Sequence, residues 1–316
     1  MSLNESQQAP TKCRVPISVF ILTYNEERNI EACLASLVEW AGEIFLVDSF
    51  SSDQTLAIAT RYGVRVIQNR FEGHSAQRNW AIQNLPFQFD WILALDADHR
   101  VTPELASELG ESLRKAPAGV AGYFVKRRQV FRGQWIRHGG YYPKYMLKVF
   151  RRGAARCDDH EFDYRFYVCG QSSRLSCDII EDNVNESSIG FWIEKHNKFA
   201  TESALEELKR RNGDLEYLRQ PRFFGNADDR VLWLKSMWYR LPLFVRPFMY
   251  FFYRYFLRLG FLDGKQGFIF HFLQGFWFRL LVDIKLEEIL ASQYVGLDTE
   301  RSNSAVGMRA SGQVVR

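Results

Sequence analysis

The sequence contains few cysteines and prolines, 5 and 9 among 316 residues. The cysteines form no C-x-x-C pair, which argues against a disulfide framework and indicates reduced thiols. Residues 1–14 are polar and lack the apolar stretch of a secretory signal. Because no run of about 18 uncharged apolar residues occurs either, we expect no ordinary transmembrane helix.

Two phosphate-binding motifs are also missing. The sequence has no G-x-G-x-x-G fingerprint, which argues against a NAD or FAD enzyme, and no G-x-x-x-x-G-K-[ST] loop, which argues against a P-loop kinase or ATPase. Charge of one sign is not in large excess: 41 Lys and Arg stand against 37 Asp and Glu, a net +4. This balance, without any recognition module, argues against nucleic-acid binding.

Four short apolar runs rich in β-branched and aromatic residues occupy the first hundred residues. Runs that are apolar throughout suit strands covered on both faces. Segments with helical spacing separate them, as at Ile30, Leu34 and Leu37. This alternation predicts an α/β fold with a Rossmann-like, mostly parallel central sheet flanked by helices. The four runs are residues 17–23, 43–48, 64–67 and 91–95.

Polar clusters follow three of the four runs. Thr23-Tyr24-Asn25-Glu26 ends the first run, Asp48 begins an acidic and serine-rich turn after the second, and Asp96-Ala97-Asp98 ends the fourth. Ligands of parallel sheets bind beyond the carboxyl ends of the strands. The sequence therefore predicts a binding site at this edge of the sheet.

The carboxylates Asp96 and Asp98 stand two residues apart, so that in an extended chain both point to the same side. Oxygen ligands of this kind suit Mg²⁺ or Mn²⁺. The alternative is a solvated acidic turn in which Asp98 or Thr102 caps a helix that begins near Pro103. For the turn after the second strand, Asp48 is a candidate to bind a nucleotide, while Ser52 or Asp53 caps the next helix.

The segments 17–27, 47–55 and 95–98, in this order, resemble the family 2 glycosyltransferases, and in particular the bacterial branch that extends lipopolysaccharide-core or exopolysaccharide sugars. The resemblance covers residues 15–215. It implies a GT-A fold, a nucleotide-sugar donor, a divalent metal ion and inversion at the anomeric carbon.

The resemblance also implies roles for individual residues. The donor would be held by Thr23, Tyr24, Glu26 and Asp48. Asp96 would approach the ribose or the metal, and Asp98 would be the metal ligand. Arg78 would offset the charge of the diphosphate. Phe50 departs from the small residue, usually glycine, that the family has at this turn.

An inverting transfer requires a general base, normally a carboxylate, to deprotonate the acceptor hydroxyl. Glu161, which follows His160, is the favoured candidate. Asp182 is the second, and Glu181 beside it is an alternative. If these carboxylates have no catalytic role, they are surface-loop residues paired with nearby arginines.

The aromatic residues concentrate late in the chain: 18 of the 48 lie between Trp233 and Phe278. Residues 230–285 also carry nine Lys or Arg against two Asp, a net +7. Aromatic and basic residues interleaved at helical spacing are typical of helices at an anionic membrane surface. Prolines 242 and 247 and the Gly260–Gly264 turn predict two or three short helices. The alternative is a helical subdomain packed on the catalytic core.

We therefore expect a polar tail over 1–14, a GT-A glycosyltransferase domain over 15–215, a helical, membrane-interfacial extension over 216–298 and a flexible tail over 299–316. The expected activity is inverting, hexosyl-type and metal-dependent, from a nucleotide-sugar donor, most simply a UDP-sugar, to a lipid-linked glycan or lipopolysaccharide-core acceptor. The expected location is peripheral, on the cytoplasmic face of the inner membrane. The alternatives are a nucleotidyltransferase and a non-catalytic scaffold that binds a sugar nucleotide or membrane.

Overall fold

The computed structural model describes residues 14–158, 164–214, 223–224 and 227–292. These residues fall into two compact units. The first unit consists of the described residues up to Trp192 together with Arg254–Ile269. The second consists of Ile193–Tyr253 and the residues from Phe270 onward.

The first unit is built on a nine-stranded mixed sheet. Eight strands follow the order β3-β2-β1-β4-β8-β6-β11-β5, and β7 pairs with β6. Strands β9 and β10 form a separate two-stranded sheet. The strands are β1 Val15–Thr23, β2 Ala41–Asp48, β3 Arg65–Gln68, β4 Trp91–Asp96, β5 His99–Val101, β6 Val120–Phe131, β7 Gln134–Ile136, β8 Lys144–Arg151, β9 Ala155–Cys157, β10 Phe166–Val168 and β11 Gln171–Glu181.

The first four strands confirm the predicted parallel half of the sheet. Strand β1 lies between β2 and β4 and is parallel to both, so that Thr23 lies beside Asp48 and Leu22 beside Asp96. The carboxyl ends of the three strands therefore meet at one edge. The expectation that every run is covered on both faces is wrong for β3, which is a largely exposed edge strand.

Side chains of β1 alternate between two hydrophobic cores. Ile17, Val19 and Ile21 pack in one core, and Phe20 packs in the other. This is the two-fold alternation of a strand with protein on both faces.

Five α-helices lie within or begin in the described part of the first unit that ends at Trp192. Thr102 caps the fourth by accepting a hydrogen bond from the backbone N–H of Leu105, with Pro103 in its first turn. Between the two capping residues considered for this helix, the structure selects Thr102. The helices are α1 Ile30–Ala35, α2 Thr55–Arg61, α3 His74–Asn84, α4 Pro103–Arg114 and α5 Ile189–Asn212.

The part of the chain that contains the aromatic and basic residues of 230–285 forms helices α6 Ala227–Arg240 and α7 Arg246–Phe252 and a π-helical stretch Tyr253–Leu257. A longer run of helical residues follows. That run comprises a 3₁₀ turn Gly260–Asp263, helix α8 Gly264–Phe270, a π-helical stretch His271–Trp277 and helical residues 278–292.

The expectation of short helices alone is wrong for the last part of this segment. Gly260–Ser292 is continuous over 33 residues and is long and apolar enough to cross a membrane, judged by length and composition. Lys265 and Arg279 interrupt this apolar stretch in the sequence. The stretch therefore contains no run of about 18 uncharged residues, which is why the sequence did not predict a membrane-spanning helix. Pro247 lies in the first turn of α7, where proline is tolerated.

Candidate functional site

Asp48 joins the ends of three strands. Its carboxylate accepts hydrogen bonds from Thr23 Oγ1 (3.1 Å), from the backbone N–H and Oγ of Ser51 (2.9 and 2.5 Å) and from Gln68 Nε2 (3.4 Å). The side chain is fully buried. A buried carboxylate is costly unless it is hydrogen-bonded. Because its partners Thr23 and Gln68 lie on β1 and β3, Asp48 holds the ends of β1, β2 and β3 together.

Hydrogen bonds connect the loop that follows β1 to the loop that follows β2. Asn25, with φ of 54°, donates its backbone N–H to Ser51 Oγ and accepts from the backbone N–H of Ser52 through Oδ1 (2.9 and 2.8 Å). The backbone N–H of Glu26 bonds Thr55 Oγ1 (2.8 Å). Tyr24 remains 60% exposed, so its ring is accessible at this edge.

Phe50 lies at the tip of the β2 loop with φ of 62° and is exposed. A left-handed conformation costs a residue with a side chain about 1–2 kcal/mol, whereas glycine adopts it without that cost. The conformation explains why a glycine would suit this turn. Phe50 therefore adopts the turn's conformation at an energetic cost and adds an exposed aromatic ring to the β2 loop.

Asp96 is surrounded by cationic and phenolic partners. Arg78 Nη2 reaches Oδ1 at 2.5 Å, and Lys148 Nζ and the Tyr164 hydroxyl reach Oδ2 at 3.0 Å each. Burial acts to raise the pKa of the Asp96 carboxyl, but Lys148, Arg78 and His99 outweigh it and hold the pKa well below its usual value. Asp96 is therefore ionised at neutral pH, and its charge is balanced by two cations.

Arg78 is held by more than its ion pair. Its guanidinium carbon lies 3.5 Å from the centre of the Tyr164 ring, a close cation–π contact. Burial raises the pKa of the Tyr164 hydroxyl well above its usual value. Tyr164 is therefore a neutral hydrogen-bond donor to Asp96. The guanidinium of Arg78, expected to face a diphosphate, bonds Asp96 within the protein.

The neighbours of Arg78 on α3 pin two other parts of the site. Gln77 Nε2 donates to Ser49 Oγ (3.2 Å) on the β2 loop. The Asn79 amide exchanges two hydrogen bonds with the backbone of Cys157 (2.9 and 3.0 Å). Three consecutive side chains of α3 thus fix the β2 loop, Asp96 and the end of β9.

A second buried network adjoins Asp96. Nδ1 of His99 lies 3.0 Å from the backbone nitrogen of Asp96, and Nε2 of the same ring faces Glu181 Oε2 at 3.3 Å. Arg127 Nη1 also bonds Glu181 Oε2 (2.9 Å). Burial acts to raise the pKa of Glu181, but Arg127 and His99 outweigh it and hold the pKa below its usual range.

Asp98 and Asp182 are brought together by the pairing of β11 with β5. The backbone N–H of Asp182 donates to the carbonyl oxygen of Asp98 (3.0 Å). The Asp182 carboxylate forms an ion pair with Arg100 (3.0 Å). The second candidate base therefore lies beside the loop that carries the Asp96-Ala97-Asp98 motif, whereas Glu161 lies outside the described residues.

Among the described residues, no three His, Cys, Asp or Glu side chains are grouped so that they could enclose a metal ion. Mg²⁺ in phosphate chemistry usually takes only one or two protein carboxylates and completes its shell with substrate oxygens and water. Asp96 is already committed to Arg78 and Lys148. A shell of that kind would need only one carboxylate from this edge, such as Asp98, the metal ligand that the family resemblance implies.

Lys148, Tyr164, His99 and Arg127 contribute to the site but were not identified from the sequence. Residues 112–157 contain twelve Lys or Arg and no Asp or Glu. That imbalance was an available signal, since buried cations from this stretch need carboxylates from elsewhere in the chain. In the structure, Lys148 and Arg127 find them in Asp96 and Glu181.

Residues 18–174 match the model of the family described as "Glycosyl transferase family 2". The chain belongs to this family through that domain, and the mostly parallel sheet with flanking helices is the GT-A fold expected of it.

Two curated relatives place the chain among glycosyltransferases. The lipopolysaccharide core biosynthesis glycosyltransferase LpsC of Rhizobium meliloti is 27% identical over 221 residues, which is 67% of this chain and 76% of that protein. An uncharacterized glycosyltransferase of Rickettsia bellii is 38% identical over 93 residues, 29% of this chain and 31% of that protein. The chain thus spans about a third of the length of the Rickettsia relative.

Among solved structures, a crystal structure of glucosyl-3-phosphoglycerate synthase from Mycobacterium tuberculosis is similar to this chain. That structure contains Mn²⁺, uridine diphosphate and glucosyl-3-phosphoglycerate. The identity is 22%, the match covers 36% of this chain and 44% of the solved chain, and the TM-score is 0.31.

Proposed function

We propose that the chain is an inverting, metal-dependent hexosyltransferase that moves a sugar from a UDP-sugar donor to a lipid-linked glycan or lipopolysaccharide-core acceptor. The observation that carries the proposal is the meeting of Asp48, Asp96 and Asp98 at one sheet edge in a family 2 domain. The similarity to LpsC supports a lipopolysaccharide-core acceptor.

In this proposal the donor lies along the edge formed by β1, β2 and β4. The exposed ring of Tyr24 contacts the nucleoside, and Thr23 and Asp48 keep the loops around it in place. Glu26, whose carboxylate accepts from Asn29 Nδ2 (2.7 Å), lies at the start of the same loop. Arg78 acts by positioning Asp96, with which it is paired.

We assign Mg²⁺ or Mn²⁺ to Asp98, together with phosphate oxygens of the donor. When bound, the ion would stabilise the negative charge of the departing nucleoside diphosphate. The role of this chain is to hold the Asp98 loop still, since its backbone is bonded to Asp182.

Three carboxylates compete for the role of general base. A base functions best with a pKa near the working pH, and Arg127 keeps the pKa of Glu181 far lower. This leaves Glu161, favoured from the sequence, and Asp182, which lies beside the Asp98 loop. We retain Glu161 as the proposed base and Asp182 as its competitor.

We also propose that the enzyme works as a peripheral protein on the cytoplasmic face of the inner membrane, on an anionic lipid surface. The support is the net +7 of residues 230–285 and their 18 aromatic side chains. Exposed aromatic rings such as Phe248 and Phe252 in α7 suit a lipid interface.

The test of the activity is release of nucleoside diphosphate from a panel of nucleotide sugars, incubated with a lipid-linked glycan fraction and with Mn²⁺, Mg²⁺ or a chelator. We expect metal-dependent release from a UDP-sugar that rises when the glycan fraction is added. Pyrophosphate release from nucleoside triphosphates would instead identify a nucleotidyltransferase. Binding of a nucleotide sugar without any release would identify a scaffold.

The test of the base is Glu161→Gln, compared with Asp182→Asn and with Asp90→Asn, an exposed residue, as control. We expect Glu161→Gln to lower transfer at least a thousandfold while donor binding, followed by calorimetry, persists. Near-normal transfer by Glu161→Gln together with loss of transfer in Asp182→Asn would move the role to Asp182.

A further inference from the structure

Residues 256–268 have an inverted pattern of burial. Their large apolar side chains point outward, while Gly260, Asp263 and Gly267 are buried. The exposed fractions of these apolar residues run from 44% to 65%. We call this set the 256–268 face: Phe256, Leu257, Leu259, Phe261, Leu262 and Phe268.

The inversion has an identifiable cause on the buried side. The Asp263 carboxylate is 3% exposed and accepts the backbone N–H groups of Arg137 (3.2 Å) and His138 (2.9 Å), with His138 Nδ1 at 2.7 Å. A Cβ at Gly267 would clash with Asp263 Cβ in the preceding 3₁₀ turn, so only glycine lets this turn and α8 pack so tightly against each other. A carboxylate and small residues therefore face the protein, and the apolar residues are left outside.

An outward-facing apolar set of this size on one short segment calls for an apolar partner, since single exposed apolar residues are common but contiguous ones are not. The charges beside it indicate which partner. Arg258 and Lys265 are exposed within the segment, and Asp263, its one acidic residue, is buried. Apolar side chains flanked by cations, with no exposed carboxylate, complement an anionic lipid bilayer.

The 256–268 face is also fixed to the site end of the sheet. The carbonyl oxygen of Arg258 accepts the backbone N–H of Gly139 (2.9 Å), and Arg254 stacks over the Tyr141 ring at 4.1 Å. The loop follows β7, in which Ile136 pairs with Gln129 of β6, and Gln129 pairs in turn with Glu181 of the candidate site. Loop 137–141 therefore runs from the buried side of this segment to the candidate site.

We propose that the 256–268 face is the surface with which the catalytic unit docks on an anionic bilayer, and that its clamp on loop 137–141 sets the site's height above the lipid. The inference deepens the proposed function, because it gives the lipid-linked acceptor a defined approach to the site. It concerns the first unit alone and does not require the second to bind lipid.

The test is co-sedimentation of the full chain with vesicles of phosphatidylglycerol and phosphatidylcholine. We expect the double variant Leu257→Glu/Leu262→Glu to lower the partition coefficient at least tenfold, because two charges would enter the acyl boundary. The matched control is Val66→Glu/Phe71→Glu, two exposed apolar residues of the same unit outside the segment. That control should bind vesicles as the unmodified chain does.

A second arm tests the charges. Arg258→Gln and Lys265→Gln should each weaken binding to phosphatidylglycerol vesicles about fivefold and leave binding to pure phosphatidylcholine unchanged. Equal binding by the Leu257→Glu/Leu262→Glu variant and the unmodified chain would overturn the proposal. So would a dimer in sedimentation velocity that this variant dissociates, because the face would then bind a second copy.

Vesicle binding requires no sugar transfer, so the two proposals fail separately. A chain that binds vesicles through this face but releases no nucleoside diphosphate would refute the proposed function alone. A chain that transfers sugar and binds vesicles through other residues would refute the docking face alone.

Discussion

Asp96 stays ionised in a partly buried position because Lys148 and Arg78 both lie within hydrogen-bond distance of it. Neither cation has another carboxylate of comparable closeness among the described contacts. Removing the negative charge would therefore leave two buried cations uncompensated. Such losses are typically worth several kcal/mol, far more than the loss of a surface pair.

We expect Asp96→Asn to lower the free energy of unfolding at pH 7 by about 3 kcal/mol. The folded-state pKa of Asp96 is depressed, so its contribution to stability is complete above the unfolded-state value near 4 and is lost as pH falls below it. Urea unfolding between pH 7 and 2 should show a shallower acid decline in the variant.

The control for this prediction is Asp90→Asn, whose carboxylate is 76% exposed and pairs with Arg152 at 3.4 Å. An exposed pair contributes at most about 1 kcal/mol, so the variant should keep both stability and acid decline. An Asp96→Asn variant as stable as Asp90→Asn would show that the cations do not depend on Asp96.

At this scale the sequence predicted the acidic strand ends but not their partners. Asp48, Asp96 and Asp98 follow directly from strands recognisable by composition, because parallel strands align their carboxyl ends. Lys148 comes from β8, which pairs antiparallel to β4, more than fifty residues later in the chain. Local patterns do not encode which distant strand becomes a neighbour.

At the scale of elements, α8 depends on the close approach of Gly267 to Asp263 and to the carbonyl oxygen of Gly260. We expect Gly267→Ala to lower the free energy of unfolding by about 1–3 kcal/mol, because overpacked sites force backbone shifts. The measurement is urea denaturation followed by circular dichroism.

Gly190→Ala is the matched control for Gly267→Ala. Its new Cβ would find Ser188 Oγ at 3.8 Å as the nearest contact, an ordinary separation. Alanine favours helix over glycine by up to about 1 kcal/mol, so this variant should be as stable as the unmodified chain or more so. Equal behaviour of the two glycines would refute the packing role assigned to Gly267.

The same segment shows that proline and glycine are incomplete guides to where helices end. Pro242 lies in the break between α6 and α7, and Gly264, with φ of 61°, lies in the turn that leads into α8, both as expected, yet Gly267 lies inside a helix. A glycine that serves close packing has the same letter as one that ends a helix. Tertiary contact decides between the two, and the sequence alone does not contain it.

At the scale of the whole molecule, the second unit contains its own buried ionic centre. Arg246 is 1% exposed and bonds both oxygens of Glu207 (3.0 and 2.8 Å) and Asp283 Oδ1. The three residues come from α5, α7 and the helix after residue 277, so the arginine joins three helices of this unit.

We expect Arg246→Met to destabilise the second unit by about 3–5 kcal/mol, because it leaves two carboxylates buried without this partner. Hydrogen exchange read by mass spectrometry should accelerate in peptides of α6 and α7 and stay unchanged in β1 and β4. Arg240→Met, at an exposed position of α6, is the control and should alter neither set. Faster exchange in all peptides would mean that the two units unfold as one.

The net charge of +4 conceals two strongly basic regions, residues 112–157 and 230–285. Composition alone revealed the second because aromatic residues mark it. The first became visible when the structure showed Lys148 and Arg127 meeting acidic residues from other strands. Total charge is thus a poor guide where opposite charges pair across the sheet.

The hydrogen bonds that converge on Asp48 have a consequence for the thermodynamics of ligand binding. Three strand ends and both site loops are already ordered before any ligand arrives. When a ligand binds at this edge, the protein therefore loses little loop entropy. More of the free energy of the ligand contacts then remains as binding affinity. Such a preorganised edge can retain a small, highly charged molecule that offers few apolar contacts of its own.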